Sequence, residues 1–234
     1  DLESFVSTLI QQSICDIDRY GKYLIFILDH DAFISHLRME GKYNIKMKDE
    51  PYDKHDHIIF HMTDGTDLRY NDTRKFGRMQ LVDKEHYHEI PPLNRLGQEP
   101  MEATFDYIYP RIHQSHLPIK QLLLDQSIFT GIGNIYANEI CFRMGMDPRT
   151  RGDRLSKKRI QELIQVSSTI LKEAISQGGT TIHSFDANGI HGLFQVTLSV
   201  HAQTTCSKCK GPIKKITIAG RGTYYCPHCQ KRRY

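Results

Sequence analysis

No apolar run in this chain approaches the length of a membrane span, and no signal-peptide pattern opens it. A membrane-spanning or exported protein is therefore not expected, and an intracellular, reducing compartment is. Cysteine is scarce: there are six in 234 residues, and Cys15 and Cys141 stand alone, which argues against a disulfide framework. There is no internal repeat and no low-complexity tract, so neither a solenoid nor a long disordered tail fits. The rest is ordinary for a soluble globular protein, with 39% hydrophobic and 25% charged residues. The length allows a buried core in two units with a small appendage. One further absence is local: Asp and Glu are missing altogether from residues 206–234.

That last stretch carries the strongest signal. Cys206 and Cys209 form one Cys-x-x-Cys pair, and Cys226 and Cys229 form a second, with sixteen residues between the pairs. Two residues between cysteines let both sulfurs face one ion, and two such corners complete a tetrahedron of four thiolates, the spacing of a zinc ribbon. One structural Zn2+ is expected, folding the ribbon and doing no chemistry, because sulfur fills all four positions. Disulfides are the competing reading. Ile213–Ile218 and Thr223–Tyr225 read as short strands joined by a turn at Ala219-Gly220-Arg221-Gly222. The ribbon holds eight of the 31 Lys and Arg, leaving 23 basic against 27 acidic side chains elsewhere. The net charge of +4 thus conceals a basic ribbon on a near-neutral body. That is the electrostatic footprint of a nucleic-acid reader, unless the charge only solubilises a tail.

Along the chain, Leu2, Phe5, Leu9 and Ile10 share one helical face. Ile14 to Leu28 then turns β-like, with Tyr23–Leu28 a buried strand. Ala32–Leu37, His57–Met62, Leu68–Tyr70 and Phe76–Val82 follow as strands, with Asp64-Gly65 a hairpin signal. Such a run predicts an antiparallel sandwich or barrel. From His86 to Met101 the pattern breaks, and Pro91, Pro92, Gly97 and Pro100 mark a linker. Beyond it the period becomes helical. Ile119, Leu122, Leu123 and Ile128 form one face, and Ile135, Ile140 and Cys141 contribute to another. Leu155–Gln177 reads as a long helix capped by Ser156 and stopped by Gly178-Gly179, with Ile160, Leu163, Ile164, Ile170, Leu171 and Ile175 inward. Phe194–His201 reads as an extended lead into the ribbon.

Several stretches outside the ribbon offer chemistry, and each has a plainer reading. Thr130-Gly131-Ile132-Gly133-Asn134-Ile135-Tyr136 joins two helices through a turn whose free N–H groups suit an anion, with Asn134 as an added donor. It also fits a simple helix junction with a capping Asn; beside a basic ribbon, a nucleic-acid phosphate is the ligand it suits. Lys22 opens an apolar strand, where a lysine is usually a solvated strand end. Met39, near a strand's end, reads as core filler. Asp72-Thr73-Arg74-Lys75-Phe76-Gly77 presents two cations and an aromatic just after a strand. Lys54-His55-Asp56-His57 lacks further metal ligands and reads as a polar strand lead.

Together these stretches resemble the formamidopyrimidine-DNA glycosylases, a family that excises oxidised purines such as 8-oxoguanine. The resemblance rests on RYGKYL, SHLRMEGKY, KHDH, DTRKFG, LLLDQSIFTGIGNIYANE, GGTT and AGRGTYYCPHCQ, in the family's order over nearly the whole chain. It implies an α+β protein with an incomplete N-terminal antiparallel β-sandwich domain (1–88), a linker (89–102), a helix–two-turn–helix domain (103–200) and a zinc-ribbon finger (201–234), with DNA in the cleft between domains. It implies that Lys22, His36, Asn134 and Arg221 grip phosphates around a flipped nucleotide, with Lys22 also serving β-elimination and Arg221 δ-elimination. Met39, Arg74 and Phe76 match the side chains inserted into the duplex, Arg74 facing the base opposite the lesion, and His55 falls on a DNA-contacting position. The physical sense is that the target atoms are buried in the stack, so the nucleotide is turned out and its vacancy filled. Apolar Met and wedge-like Phe fill a gap, and Arg reads a base edge. The implied partner is double-stranded DNA carrying oxidised bases or abasic sites, with no membrane. The implied enzyme is a base-excision-repair glycosylase and abasic-site lyase, acting as a monomer in the bacterial cytoplasm at the nucleoid.

Two departures from the family stand out. Gln114-Ser115-His116 replaces its basic cluster, which puts one lysine contact in doubt. The family's N-terminal Pro-Glu pair, whose proline amine attacks C1′ while the glutamate moves protons, has no counterpart in this sequence. That covalent route requires an amine nucleophile. The expectation is that a first segment is missing, and that these residues bind damaged or abasic DNA without forming the imine. Competing readings are a damage-binding relative without catalysis and an oxidised-pyrimidine enzyme of the endonuclease VIII type, which Met39, Arg74 and Phe76 argue against. A zinc-ribbon transcription factor leaves the first 130 residues unexplained.

Overall fold

The structure, a computed structural model, describes residues 2–179 and 193–232. The described residues fall into two compact units, 2–94 and 95–179 with 193–232. Of the GGTT stretch, Thr180 and Thr181 lie outside the described residues. No described helix is long and apolar enough to cross a membrane.

The first unit is an antiparallel β-sandwich preceded by α1 (Leu2–Leu9). One sheet has the order β1-β2-β3-β7, from Ile14–Tyr20, Tyr23–Leu28, Asp31–His36 and Arg78–Asp83; the other has the order β4-β6-β5, from Lys42–Met47, Thr66–Asn71 and Asp56–His61. Alternation along β2 and β3 sends Phe26, Leu28 and Phe33 inward. Phe26 and Phe33 stack at 4.4 Å between centroids, and Phe60 of the facing sheet lies 5.6 Å from Phe33. Asp64-Gly65 turns β5 into β6, with Gly65 at φ 87°, as the sequence predicts. Of the first helical face, Phe5 and Leu9 reach this core, whereas Leu2 and Ile10 are exposed, and Ile10 lies beyond the helix. Arg69 is buried at 1% exposure. Its guanidinium meets Asp67 at 3.1 Å and donates to the carbonyls of Met47, Glu50 and Pro51.

The second unit packs α2 (Phe105–His113), α3 (Ile119–Leu124), α4 (Asn134–Arg143) and α5 (Lys157–Ser176) around Ile108, Ile112, Leu123, Ile132, Ile140 and Leu163. Ser156 caps α5 by accepting the Arg159 N–H at 3.3 Å, and Gly178 and Gly179, at φ 73° and 84°, end it. Three expectations are corrected. Ile175 is 65% exposed, because Ala174 takes the last inward position of α5. Phe194–Thr197 forms a 3-10 turn rather than an extended lead, burying Phe194 against Tyr136. The ribbon turn is only Ala219-Gly220, at φ 47° and 71°, because Ile218 already pairs with Arg221. Two successive positive φ values match the twist of a two-residue hairpin, so Arg221 belongs to a strand, β9 (Arg221–Tyr225), paired with β8 (Lys214–Ile218).

Candidate nucleic-acid interface

In the first unit, Lys22 sits in the two-residue turn between β1 and β2 and not in the strand, since Tyr20 pairs with Tyr23 and Gly21 takes φ 59°. His36, on the next strand, pairs with Tyr23 and lies edge-on to its ring at 4.7 Å. The Nδ1 of His36 accepts the Arg38 N–H at 2.9 Å, which leaves the proton of the neutral ring on Nε2. Burial first, then Arg38 and Lys22, push the His36 pKa down to about 4. His36 is therefore a neutral donor near Lys22, adding no third positive charge. Met39 is 64% exposed on the turn after β3, so the core-filler reading does not hold.

The loop bearing Arg74 and Phe76 is built on Asp72, whose side chain is fully buried. Its Oδ1 accepts the Arg74 N–H at 2.9 Å, while Oδ2 accepts those of Phe76 and Gly77, each at 2.9 Å, and the Tyr70 hydroxyl at 3.1 Å. Burial would raise the Asp72 pKa, but these donors outweigh it and hold the carboxylate below its ordinary range. Phe76 is 54% exposed, and the Arg74 guanidinium lies 4.8 Å from its ring centre. The carbonyl of His55 accepts the Asp72 N–H at 3.1 Å, and His57 donates from Nε2 to the Asp72 carbonyl at 2.9 Å.

In the second unit, Gln126 shapes the glycine-rich connector. It donates to the carbonyls of Leu124 and Ile132, each at 3.0 Å, and accepts the Gly131 N–H at 3.1 Å. The cap of α4 is Gly133, so Asn134 is its first helical residue and not a capping Asn. Asn134 donates from Nδ2 to the Gly222 carbonyl at 3.1 Å. Lys120, 0% exposed, donates to the same carbonyl at 2.9 Å and to the Thr223 hydroxyl at 2.7 Å. Burial chiefly lowers the Lys120 pKa to about 8; Cys141 opposes the shift and Arg221 adds to it. The two grips on Gly222 hold exposed Arg221 beside the N-terminus of α4, where the helix dipole favours an anion. Where the family's basic cluster was in question, His116 bonds Asp153 at 3.0 Å, and Asp153 also takes Arg151 at 2.7 Å.

The four ribbon cysteines form no disulfide, and their sulfurs lie within 4.8 Å of one another, with Cys206–Cys229 at 3.8 Å and Cys209–Cys226 at 3.5 Å. Tetrahedral Zn–S bonds place sulfurs about 3.8 Å apart, so the set fits one Zn2+. Glu139 of α4 docks the approach to the ribbon, accepting the N–H groups of Ser199, Val200 and His201 at 2.9, 3.0 and 2.8 Å. Asp72, Lys120, Gln126 and Glu139 escaped the sequence reading. A lysine inside the apolar run Ile119–Leu124 was the one local signal available.

Three family models match the chain. They are the formamidopyrimidine-DNA glycosylase N-terminal domain over residues 1–79, the formamidopyrimidine-DNA glycosylase H2TH domain over 96–186, and the zinc finger found in FPG and IleRS over 205–232. The chain is 45% identical to the formamidopyrimidine-DNA glycosylase of Lactobacillus helveticus, over 98% of this chain and 86% of that protein. It is 43% identical to that of Bacillus subtilis, over 99% and 86%. Among solved structures it is similar to the Lactococcus lactis Fpg in complex with abasic-site DNA, with TM-score 0.92 and 36% identity over 98% of this chain and 86% of that one. A complex of the wild-type Lactococcus lactis Fpg with N7-benzyl-Fapy-dG DNA matches with the same figures. The chain belongs to the formamidopyrimidine-DNA glycosylase family.

Proposed function

We propose that this chain serves base-excision repair of oxidised purines in duplex DNA, in the cytoplasm, and that its DNA grip is divided between the two units. In the first unit, Lys22 and neutral His36 bind phosphates of the turned-out nucleotide, while Met39, Arg74 and Phe76 occupy the vacancy and Arg74 meets the opposite base. In the second, Asn134 and Arg221 bind phosphate at the start of α4. In the lyase steps, which start from an imine at C1′ whose amine this sequence does not supply, Lys22 assists β-elimination, in which the C2′ proton leaves and the C3′–O bond breaks. Arg221 assists δ-elimination, which removes the C4′ proton and breaks C5′–O. Bound zinc supplies the fold of the ribbon, and Cys226 follows directly on the strand that bears Arg221.

The observation that carries this reading is the double grip of Lys120 and Asn134 on the Gly222 carbonyl. It joins the strand that bears Arg221 to a helix N-terminus, two anion-binding devices in one place. The test is binding to duplexes carrying 8-oxoguanine, an abasic analogue, an oxidised pyrimidine or no damage. The first two are expected to bind at least about tenfold more tightly than undamaged DNA, since the extrusion cost is lower at a damaged site. Four phosphate contacts give a log–log salt slope of about −3 to −4. Equal affinity for undamaged DNA refutes the reading, and preference for the oxidised pyrimidine moves it to the sister class.

A further inference from the structure

We propose that Tyr70 and Asp72 are positioning residues for reading the strand opposite the lesion, a buried pair that sets Met39, Arg74 and Phe76 in register. The proposal rests on the reading of those three side chains as the groups that fill the gap. Tyr70, at 5% exposure, and Asp72, at 0%, are themselves buried. Their side chains meet where two loops converge. A Cβ added to Gly41 would lie 2.4 Å from the Tyr70 hydroxyl oxygen, and one added to Gly77 would lie 1.6 Å from it. The backbones of both loops therefore pack directly on that hydroxyl, at distances that only glycine permits. Gly41 closes the turn that presents Met39, donating its N–H to the Leu37 carbonyl at 3.0 Å. Gly77 closes the loop that presents Arg74 and Phe76.

The hydroxyl donates its hydrogen bond to Asp72, which completes the arrangement. An ionised carboxylate offers about four acceptor sites, and Asp72 meets four donors: the N–H groups of Arg74, Phe76 and Gly77, and the Tyr70 hydroxyl. Its own N–H and carbonyl are held by the His55–His57 segment. Three exposed tips thus share one buried anchor. An amide cannot take the place of this carboxylate. With its oxygen in the Oδ2 position, its NH2 faces the Arg74 N–H, donor against donor; turned over, the NH2 faces the other three donors. The first orientation loses less. Asp72→Asn therefore releases the backbone of the one residue assigned to the opposite base.

The test measures affinity of the whole chain for duplexes in which a tetrahydrofuran abasic analogue stands opposite each of C, A, G and T. The readout is the ratio between the most and least favoured opposite base. A ratio divides out overall affinity, so a variant that merely loses folded protein weakens all four together and leaves it unchanged. Arg74→Ala is the reference and collapses the ratio. Asp72→Asn is expected to shrink it by about tenfold. Tyr70→Phe, which keeps the ring and loses one donor, shrinks it by about threefold. Asp72→Asn with the full ratio, while Arg74→Ala collapses it, overturns the proposal. Where Asp72→Asn does not fold, an unchanged ratio in Tyr70→Phe overturns it equally. A ratio that Arg74→Ala leaves intact refutes instead the reading of Arg74.

Discussion

Replacing Lys120 with Met tests whether a buried ammonium holds the ribbon to the helices. Met keeps the length and the apolar stem, and removes the donors to the Gly222 carbonyl and the Thr223 hydroxyl. Hydrogen bonds from a charged group contribute about 1.5–3 kcal/mol each. Two offsets reduce the sum. The burial that lowers the Lys120 pKa to about 8 is a cost that Met does not carry, and the Gly222 carbonyl keeps Asn134. Thr223, 0% exposed, loses its donor outright. A net loss of about 1–3 kcal/mol follows, falling on β9, which runs into Cys226. If opening of that strand limits zinc loss, transfer of zinc to a chelating dye quickens by about 5- to 150-fold, at tenfold per 1.4 kcal/mol. An unchanged release rate with unchanged affinity for abasic DNA would refute the staple. The same lysine has a pH signature. Its folded pKa of about 8 lies below the ordinary 10.5, so between those values the unfolded chain holds a proton that the folded chain has released. Stability from this group therefore rises with pH across that window, and the urea midpoint of the unaltered chain gains on that of Lys120→Met only there.

His36 is expected to titrate near pH 4 by NMR; because its folded pKa is depressed, its contribution to stability is lost as pH falls from 6.5 towards 4, and a midpoint near 6.5 contradicts its half-buried, neutral assignment. Arg69→Met leaves Asp67 buried without its guanidinium partner and is expected to cost about 3–5 kcal/mol in urea unfolding, with the His61 contact at 2.7 Å moderating the loss; a loss below about 1 kcal/mol contradicts the buried-pair account. Arg221→Ala is expected to reduce the log–log salt slope of DNA binding by about one, and an unchanged slope shows that Arg221 meets no phosphate.

The legible part of this protein is the part fixed by local chemistry. Four cysteines at that spacing have one common partner, and the strands around Phe26 and Phe33 follow from β-branched and aromatic runs. β4 was legible in principle. Lys42-Tyr43-Asn44-Ile45-Lys46-Met47 alternates polar and apolar, but its three polar members lower the mean apolarity that marked the other strands. Local pattern placed Lys22 at the head of its strand and Arg221 within the ribbon turn, and pairing refines the first and moves the second. Lys22 is on a turn because Tyr20 pairs with Tyr23, and Arg221 is in a strand because the turn needs only two residues. The anchors were not legible at all. Lys120 and Gly222 lie 102 positions apart, and no periodicity reports a bond between them.

The division between tips and anchors has a physical cause. A side chain that must reach into a duplex stands on a short, exposed turn, and such a turn cannot be fixed by burying apolar surface. Its backbone donors and acceptors are then what remain to hold it. Asp72 collects three N–H groups and a hydroxyl, Glu139 three N–H groups, and Gln126 one N–H and two carbonyls; Lys120 gives to a carbonyl and a hydroxyl. A buried charge is costly when unpaired, but the cost falls when its partners are complete. Each anchor therefore tolerates little change in chemistry, because substituting one side chain strands several backbone groups together. A tip tolerates more, because its loss removes one contact and leaves the loop in place. On this account the positions most sensitive to conservative substitution lie behind the DNA-facing surface, and Asp→Asn or Glu→Gln there does more harm than truncating an exposed Met or Phe.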